Sequence, residues 1–266
     1  MTRLSALLTP LTLVLLCLGA CSSPGDPDDQ GGNLTPAPQK SGLRIAALDY
    51  AVGDLTDPEV LARYTRADIL VVQSDQFWGR PSFEGRLDLL RAAKPDLKII
   101  GYFRSKVVKA KWETEENTYN LALLEASRPY WCATTTGDTA MDWPGAVLFD
   151  YTDPAARRAM LDVFLTHQRT SSNQFDGMYW DYFNDKLWIA PAVTTMDGEP
   201  DMDGDGVGHF EDEDERQAFQ DAQYDWVAEM RQAMGNRFIQ IANGARALTD
   251  SVFARQFDGM FYELFP

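Results

Sequence analysis

Six short runs along the chain are apolar almost without interruption and close on polar residues. They are Arg44 to Tyr50 (RIAALDY), Asp68 to Ser74 (DILVVQS), Lys98 to Ser105 (KIIGYFRS), Gly177 to Phe183 (GMYWDYF), Arg237 to Asn243 (RFIQIAN) and Gly259 to Phe265 (GMFYELF). Runs of this length between turn residues predict strands buried on both faces, as in a parallel sheet. Patterns of helical period lie between them. Phe83 to Ala93 carries apolar residues at 83, 87, 89, 90 and 93. Asp153 to Gln168 opens with a capping aspartate, and Pro154 takes the first helical position. Glu213 to Met234 is long and amphipathic, and Gly235 follows it. Strands alternating with helices predict βα units.

The runs end on Asp49 and Tyr50, Gln73 and Ser74, Tyr102, Asp181, Asn243 and Glu263. Strands that enter apolar and leave on an acid, an amide or a phenol suit the C-terminal rim of a TIM barrel, where βα loops build active sites. The expected fold class is α/β, a TIM (β/α)8-type barrel that stops after its sixth strand pattern. A closed barrel needs two more βα units, so a truncated chain, an open sheet and closure by another chain all stay open. Two runs are near copies: QFDGMYWDYF begins at Gln174 and QFDGMFYELF at Gln256. The expectation is that Asp-Gly turns the chain into a strand, Met and the aromatics fill the barrel, and Asp181 and Glu263 emerge into one cleft. Capping of following helices is the alternative for both acids. Tyr50, Tyr102, Trp143, Trp180, Tyr182, Phe183 and Tyr262 add flat rings on which sugars stack, with core packing the alternative for any one of them.

The 266 residues are 45% hydrophobic, enough for one sizeable domain, and the net charge of −16 repels nucleic-acid phosphate, so no nucleic-acid partner is expected. Residues 1–20 read as a leader: a thin positive start, then an apolar stretch from Leu4 to Leu18 too short for a stable membrane span. Leu18-Gly19-Ala20-Cys21 resembles a bacterial lipobox, which would lipidate Cys21 and tie the chain to the membrane on the extracytoplasmic side of the cell envelope. An ordinary signal peptide with a chance cysteine is the alternative. Residues 21–42, rich in Pro, Gly, Asp and Ser, read as a flexible tether to a domain over 43–266. That domain keeps one cysteine, Cys132, without a disulfide partner, and it reads as a small buried residue.

Residues 185–213 form an insertion after the fourth strand. Within it, Asp201, Asp203, Asp205 and Asp212 take positions 1, 3, 5 and 12 of a calcium loop, with Gly206 at position 6 and the Val207 carbonyl at position 7. A structural calcium ion is expected there; the bland alternative is a solvated acidic loop.

Phe175-Asp176-Gly177 with Asp181, Ile241-Ala242-Asn243-Gly244, and Phe257-Asp258-Gly259 with Glu263 follow one another in an order that resembles secreted TIM-barrel glycoside hydrolases. The likeness is to the endo-α-1,4-polygalactosaminidase-like enzymes and neighbouring hypothetical glycosyl hydrolase families. The segment from Trp143-Pro144-Gly145 to Phe149-Asp150-Tyr151-Thr152-Asp153-Pro154 also fits, as the lead into the helix before strand four. The resemblance implies hydrolysis of a polysaccharide by two carboxylates with retention, Asp181 as nucleophile and Glu263 as acid/base. The polar neighbours Asn184 and Asp185 are expected to keep Asp181 ionised, and the apolar flanks Tyr262, Leu264 and Phe265 to keep Glu263 protonated. Asp49, Tyr50, Tyr102, Trp143, Asp150, Tyr182, Asn184, Asp185 and Asn243 are candidates for substrate contact, each with a capping or supporting role as its alternative. The rival reading from another class is a non-catalytic carbohydrate-binding or scaffold lipoprotein on a degenerate barrel.

Overall fold

The computed structural model describes residues 13–14, 45–114, 116–193, 196–244, 246 and 250–261. In chain order its strands are β1 (Leu13–Val14), β2 (Ala46–Asp49), β3 (Ile69–Gln73), β4 (Lys98–Arg104), β5 (Val107–Lys109), β6 (Ala133–Thr134), β7 (Met141–Trp143), β8 (Ala146–Leu148), β9 (Gly177–Asp181), β10 (Pro200–Asp201), β11 (Ile239–Asn243) and β12 (Gly259–Phe261). The helices are α1 (Pro58–Tyr64), α2 (Ser74–Phe77), α3 (Arg86–Ala93), α4 (Thr118–Ser127), α5 (Pro154–Thr170), α6 (Glu213–Met234) and α7 (Ser251–Ala254).

All six apolar runs become strands of one sheet, ordered β1-β2-β3-β4-β9-β11-β12. From β2 to β12 every neighbour is parallel and follows in sequence order. The result is a curled parallel half-barrel, in keeping with a barrel pattern that stops after its sixth strand. Leu13–Val14, inside the expected leader, runs antiparallel to Ala46–Ala47 at the β2 edge.

The strands alternate in two layers, as a period of two requires. Ala46, Ile69, Val71, Ile100, Tyr102, Tyr179, Ile241 and Phe261 share the inner face. Leu70, Val72, Ile99, Phe103, Met178, Trp180 and Ala242 face the larger core, where Phe103, Phe164, Trp180 and Trp226 interlock edge to face or stacked. So the expectation that Met and both aromatics of the repeated phrase fill the barrel holds for Tyr179 and its counterpart Phe261, whereas Met178 and Trp180 point outward under the helices.

The Asp-Gly of that phrase is also more than a turn. Asp176 Oδ2 accepts the backbone N–H of Ile99 at 3.0 Å, and Asp258 Oδ2 accepts that of Gln240 at 2.9 Å. Asp68, before β3, does the same for Ile45 at 3.0 Å. Three times an aspartate at a strand's entry captures the N–H opening the preceding strand, which fixes parallel register. Gly177 is needed because a Cβ there would stand 2.2 Å from the Ile239 carbonyl oxygen.

Helices follow their sequence signals. Asp57, Asp153 and Asp212 cap α1, α5 and α6 through their side chains, and Gly235 ends α6 at φ 80°. The helix expected over Phe83 to Ala93 begins later, at Arg86, because Pro81–Phe83 forms a separate 3-10 turn. Sequence reasoning missed a second insertion, after β4. It holds the small antiparallel sheet β5-β8-β7, and its β6 pairs with β10 of the insertion after β9. Two excursions from the rim are thus stitched to each other.

Candidate functional site

Asp181 is the last residue of β9 and is 6% exposed. Its Oδ1 accepts two hydrogen bonds, from Asn243 Nδ2 at 2.7 Å and from the Tyr182 backbone N–H at 3.0 Å. Its Oδ2 accepts one, from the Tyr102 hydroxyl. Three donors and no acceptor surround the group, so the geometry is that of a carboxylate. Oδ1 has both lone pairs committed while Oδ2 keeps one. The donors come from β4, β11 and the end of β9, consecutive strands whose register puts their C-terminal ends together.

Burial nevertheless raises the Asp181 pKa above the ordinary aspartate value, against the pull of Tyr102 and Asn243. This corrects the expectation that its sequence neighbours hold it ionised. The backbone carbonyls of Asn184 and Asp185 accept the side-chain amides of Gln223 and Gln220 on α6. Two of the three donors, Tyr102 and Asn243, sit on neighbouring strands.

Around Asp181 lie groups that the sequence did not single out. Arg104 is its register partner across β4 and β9. Lys106 is fully buried, its pKa lowered to about 8 by burial despite the attraction of Asp142 and Asp181. Its ammonium lies 4.5 Å from the centre of the Tyr182 ring, a cation–π contact. Asp142, on β7, is fully buried, and burial pushes its pKa up to about 6. Neither of its carboxylate oxygens meets a hydrogen-bond donor among the described residues.

Tyr182 is the sole non-glycine residue with positive φ, 69°, among the described residues. That conformation is costly for a bulky side chain. It swings the ring out of the strand line, where its hydroxyl accepts the Trp143 indole N–H at 2.8 Å. Trp188 stacks on Tyr182 at 6.2 Å and leans on Trp143 at 5.4 Å. Trp143 is 42% exposed, so the three rings make an open aromatic surface next to Asp181. The rings of Tyr50 and Tyr102 meet edge to face at 5.1 Å, and Tyr50 is also exposed.

The other candidates are spread differently. Asp49 is engaged by the Tyr64 hydroxyl and the Ala51 N–H. Asp150 accepts from Thr152 and Asp153 and so organises the turn into α5, although burial raises its pKa. Glu263, Tyr262 and Cys21 lie outside the described residues. Phe261 does show the stagger of this edge: it pairs with Asn243, one residue beyond the Ala242–Trp180 pair. Gly177 pairs with Ile239 but Gly259 with Ile241, so the second copy of the phrase is shifted by two residues across two strands. One residue per strand is the shear of an eight-stranded barrel.

The acidic loop after β9 is tightly wound. Asp201 Oδ1 and Oδ2 accept the N–H groups of Gly204 and Gly206 at 2.7 and 2.9 Å. Asp203 Oδ1 accepts from Asp205, and Asp205 Oδ1 from Val207, whose side chain is exposed. Asp203, Asp205 and Asp212 bring carboxylate oxygens within 4.8 Å of one another, and so do Asp201, Asp203 and Glu215. Glu215 is the residue the loop motif did not reveal. Buried, it accepts from Met202 N–H and joins His209 at 2.7 Å. Because Leu187 N–H donates to His209 Nε2, the imidazole is neutral on that side and its Nδ1–H donates to Glu215. This chain of bonds ties the acidic loop to the segment that carries Tyr182 and Trp188.

No family model matches this sequence, and no curated protein matches it. Solved structures do. A GH36 α-galactosidase, AgaA of Geobacillus stearothermophilus in complex with 1-deoxygalactonojirimycin, aligns over 77% of this chain and 28% of its own, at 9% identity and a TM-score of 0.51. The same enzyme in complex with stachyose gives 0.50, with the same identity and coverage. A noncanonic maltogenic α-amylase, AmyB of Thermotoga neapolitana, aligns over 77% of this chain and 43% of its own at 12% identity and 0.43. The chain thus spans little more than a quarter of the α-galactosidase structures it matches. Identity this low speaks for architecture alone, and the architecture is a glycoside hydrolase-like half-barrel.

Proposed function

We propose that this chain hydrolyses a glycosidic bond, with Asp181 as the nucleophile and Glu263 as the proton donor. The observation that carries the reading is the setting of Asp181. It is a buried carboxylate at the C-terminal end of the fourth parallel strand, gripped by Tyr102 and Asn243 from the two adjacent strands and by the Tyr182 backbone N–H, beside an aromatic surface. In this reading Oδ2, with a lone pair unspent, attacks the anomeric carbon, and Asn243 and Tyr182 N–H hold Oδ1 still. Trp143, Tyr182 and Trp188 stack the sugar, and Tyr50 borders the same rim. Glu263 takes its role from the repeated phrase and from the family resemblance, which also supports retention of configuration.

Calcium in the loop of Asp201, Asp203, Asp205, Val207 and Asp212, joined by Glu215, would brace the segment bearing Tyr182 and Trp188. The residues fit a hard cation: oxygen donors only, several already oriented by backbone N–H groups. A lipid on Cys21 would hold the enzyme at the bacterial cell envelope, facing extracellular polysaccharide.

The test is a hydrolysis screen of aryl glycosides and polysaccharides with calcium present. Release of reducing sugar that Asp181→Asn abolishes supports the reading. Sugar binding without any hydrolysis would return the chain to the carbohydrate-binding lipoprotein class.

A further inference from the structure

Lys106 lies just past the C-terminal end of β4 and is 1% exposed. A lysine is almost never buried so completely without partners, so its contacts carry information. They are not those of a direct ion pair. Asp142 and Asp181 attract the ammonium, but neither takes a hydrogen bond from it among the described residues. What the ammonium meets is the aromatic surface. It lies 4.5 Å from the centre of the Tyr182 ring and reaches the backbone carbonyl of Trp188 at 3.5 Å. One buried cation thus holds Tyr182 by its ring and Trp188 by its main chain.

Trp143 is tied in from the same place. The carbonyl of Asp142, the residue before it, accepts the Ala190 N–H at 2.7 Å, two residues past Trp188. The Trp143 indole N–H ends on the Tyr182 hydroxyl. Below them the Ser105 hydroxyl donates to the Asp181 carbonyl at 2.8 Å, which sets the strand end bearing Lys106 against the one bearing Tyr182. Arg104 is also attracted to Tyr182, but its hydrogen bond goes to Tyr102.

Tyr182 needs an anchor. A φ of 69° costs a bulky residue free energy and persists only where the surroundings outweigh that cost. A desolvated cation–π contact is of the same order as the cost, and an exposed one is weaker. The burial of Lys106 is therefore what makes its contact strong enough. A released ring would let the backbone relax, and the Tyr182 N–H that grips Asp181 Oδ1 would turn away with it.

We infer that Lys106 is a positioning residue: through the Tyr182 ring it holds in place both the aromatic surface and the N–H on Asp181. That the surface stacks a sugar rests on the glycosidase reading. The placement of the ring does not, and its test needs no turnover.

The experiment is solvent exchange of N–H protons, followed by NMR on the full chain. Two protons report on Tyr182 from opposite ends. One is the indole N–H of Trp143, an exposed residue whose indole proton is held by the Tyr182 hydroxyl. The other is the Tyr182 amide itself, held by Asp181. Lys106→Met keeps the length of the side chain and removes its charge. It is expected to speed exchange of both protons about tenfold or more. Tyr182→Phe keeps the ring and deletes the acceptor, so it sets the scale of full loss at Trp143. The indoles of Trp78 and Trp180 are bonded in the core to the Asn173 carbonyl and the Gln240 side chain, and should not change.

Either reporter unmoved in a folded Lys106→Met overturns the inference. So does an equal acceleration at Trp78 and Trp180, which would make Lys106 a general brace of the fold. If Lys106→Met does not fold because Asp142 is left an unmatched buried charge, Lys106→Met combined with Asp142→Asn is compared with Asp142→Asn alone by the same criteria. Accelerated exchange in a chain that hydrolyses nothing would keep this inference and defeat the glycosidase reading. Hydrolysis by a chain whose two reporters ignore Lys106→Met would do the reverse.

Discussion

Asn243 at the end of β11 donates to Oδ1 of Asp181 at the end of β9, 2.7 Å away. The amide fixes the carboxylate in one rotation and favours its ionised form. Asn243→Ala is expected to lower turnover by about 10- to 100-fold, the cost of one hydrogen bond to a charged group. Loss of a donor also raises the Asp181 pKa, so the acid limb of the pH–rate profile should move to higher pH. An unmoved limb would separate Asn243 from Asp181 in function.

Asp142 makes an unusual stability prediction. Its carboxyl, pushed up to about 6, holds its proton more tightly folded than unfolded. Between about pH 4 and 6 the folded state binds more protons, so this group's contribution to stability falls as pH rises, and the loss is complete above about pH 6. Asp142→Asn should therefore match the parent near pH 4 and exceed it by about 1–3 kcal/mol at pH 7. Urea unfolding at the two pH values checks this. A less stable variant at pH 7 would mean that Asp142 is held by partners the geometry does not show. A charge that costs stability is retained for another reason, and its place beside Lys106 and Tyr182 points to the site.

The acidic loop predicts a calcium effect. Chelation should lower the melting temperature, since a ligand bound only by the folded state stabilises it. The double substitution Asp203→Ala with Asp205→Ala should abolish the response, while both residues, being exposed, leave the core intact. Equal melting with calcium and with chelator would remove calcium from the account.

Gly177→Ala tests the fold. The added Cβ would meet the Ile239 carbonyl oxygen at 2.2 Å, a contact that backbone cannot relieve without moving β11 from β9. A loss of about 3 kcal/mol or more is expected, at the upper end for single substitutions. Thermal unfolding near that of the parent would show that the sheet is looser than its register implies.

Much of this architecture was legible because strands buried on both faces write long apolar runs. All six runs became strands, and Asp153 and Gly235 marked the start and the end of their helices, while Asp212, read as a calcium ligand, also caps α6. The repeated phrase was legible as a repeat but not as a mechanism. That Asp176 and Asp258 capture the N–H groups of Ile99 and Gln240 depends on contacts between strands, which spacing along one strand cannot show. The same holds for the site. Asp181 stood out as an acid at a strand end, but its real partners, Tyr102 and Asn243, lie 79 and 62 residues away. Lys106 and Asp142 carried no pattern, because their pairing arises when the insertion after β4 folds back over the rim. Trp188 lay within the insertion after β9, with no alternation to mark it as a rim ring.

The central claim is that Asp181 Oδ2 attacks the sugar, and the direct measurement is the rate of Asp181→Asn on the best substrate from the hydrolysis screen. Asparagine keeps the shape and can still accept from Tyr102 or Asn243, so folding should survive and be verified by circular dichroism. The account predicts a fall in kcat of about a thousandfold or more, since a nucleophile rather than a binding contact is lost. A variant that folds and keeps the parent's kcat within about tenfold would contradict it.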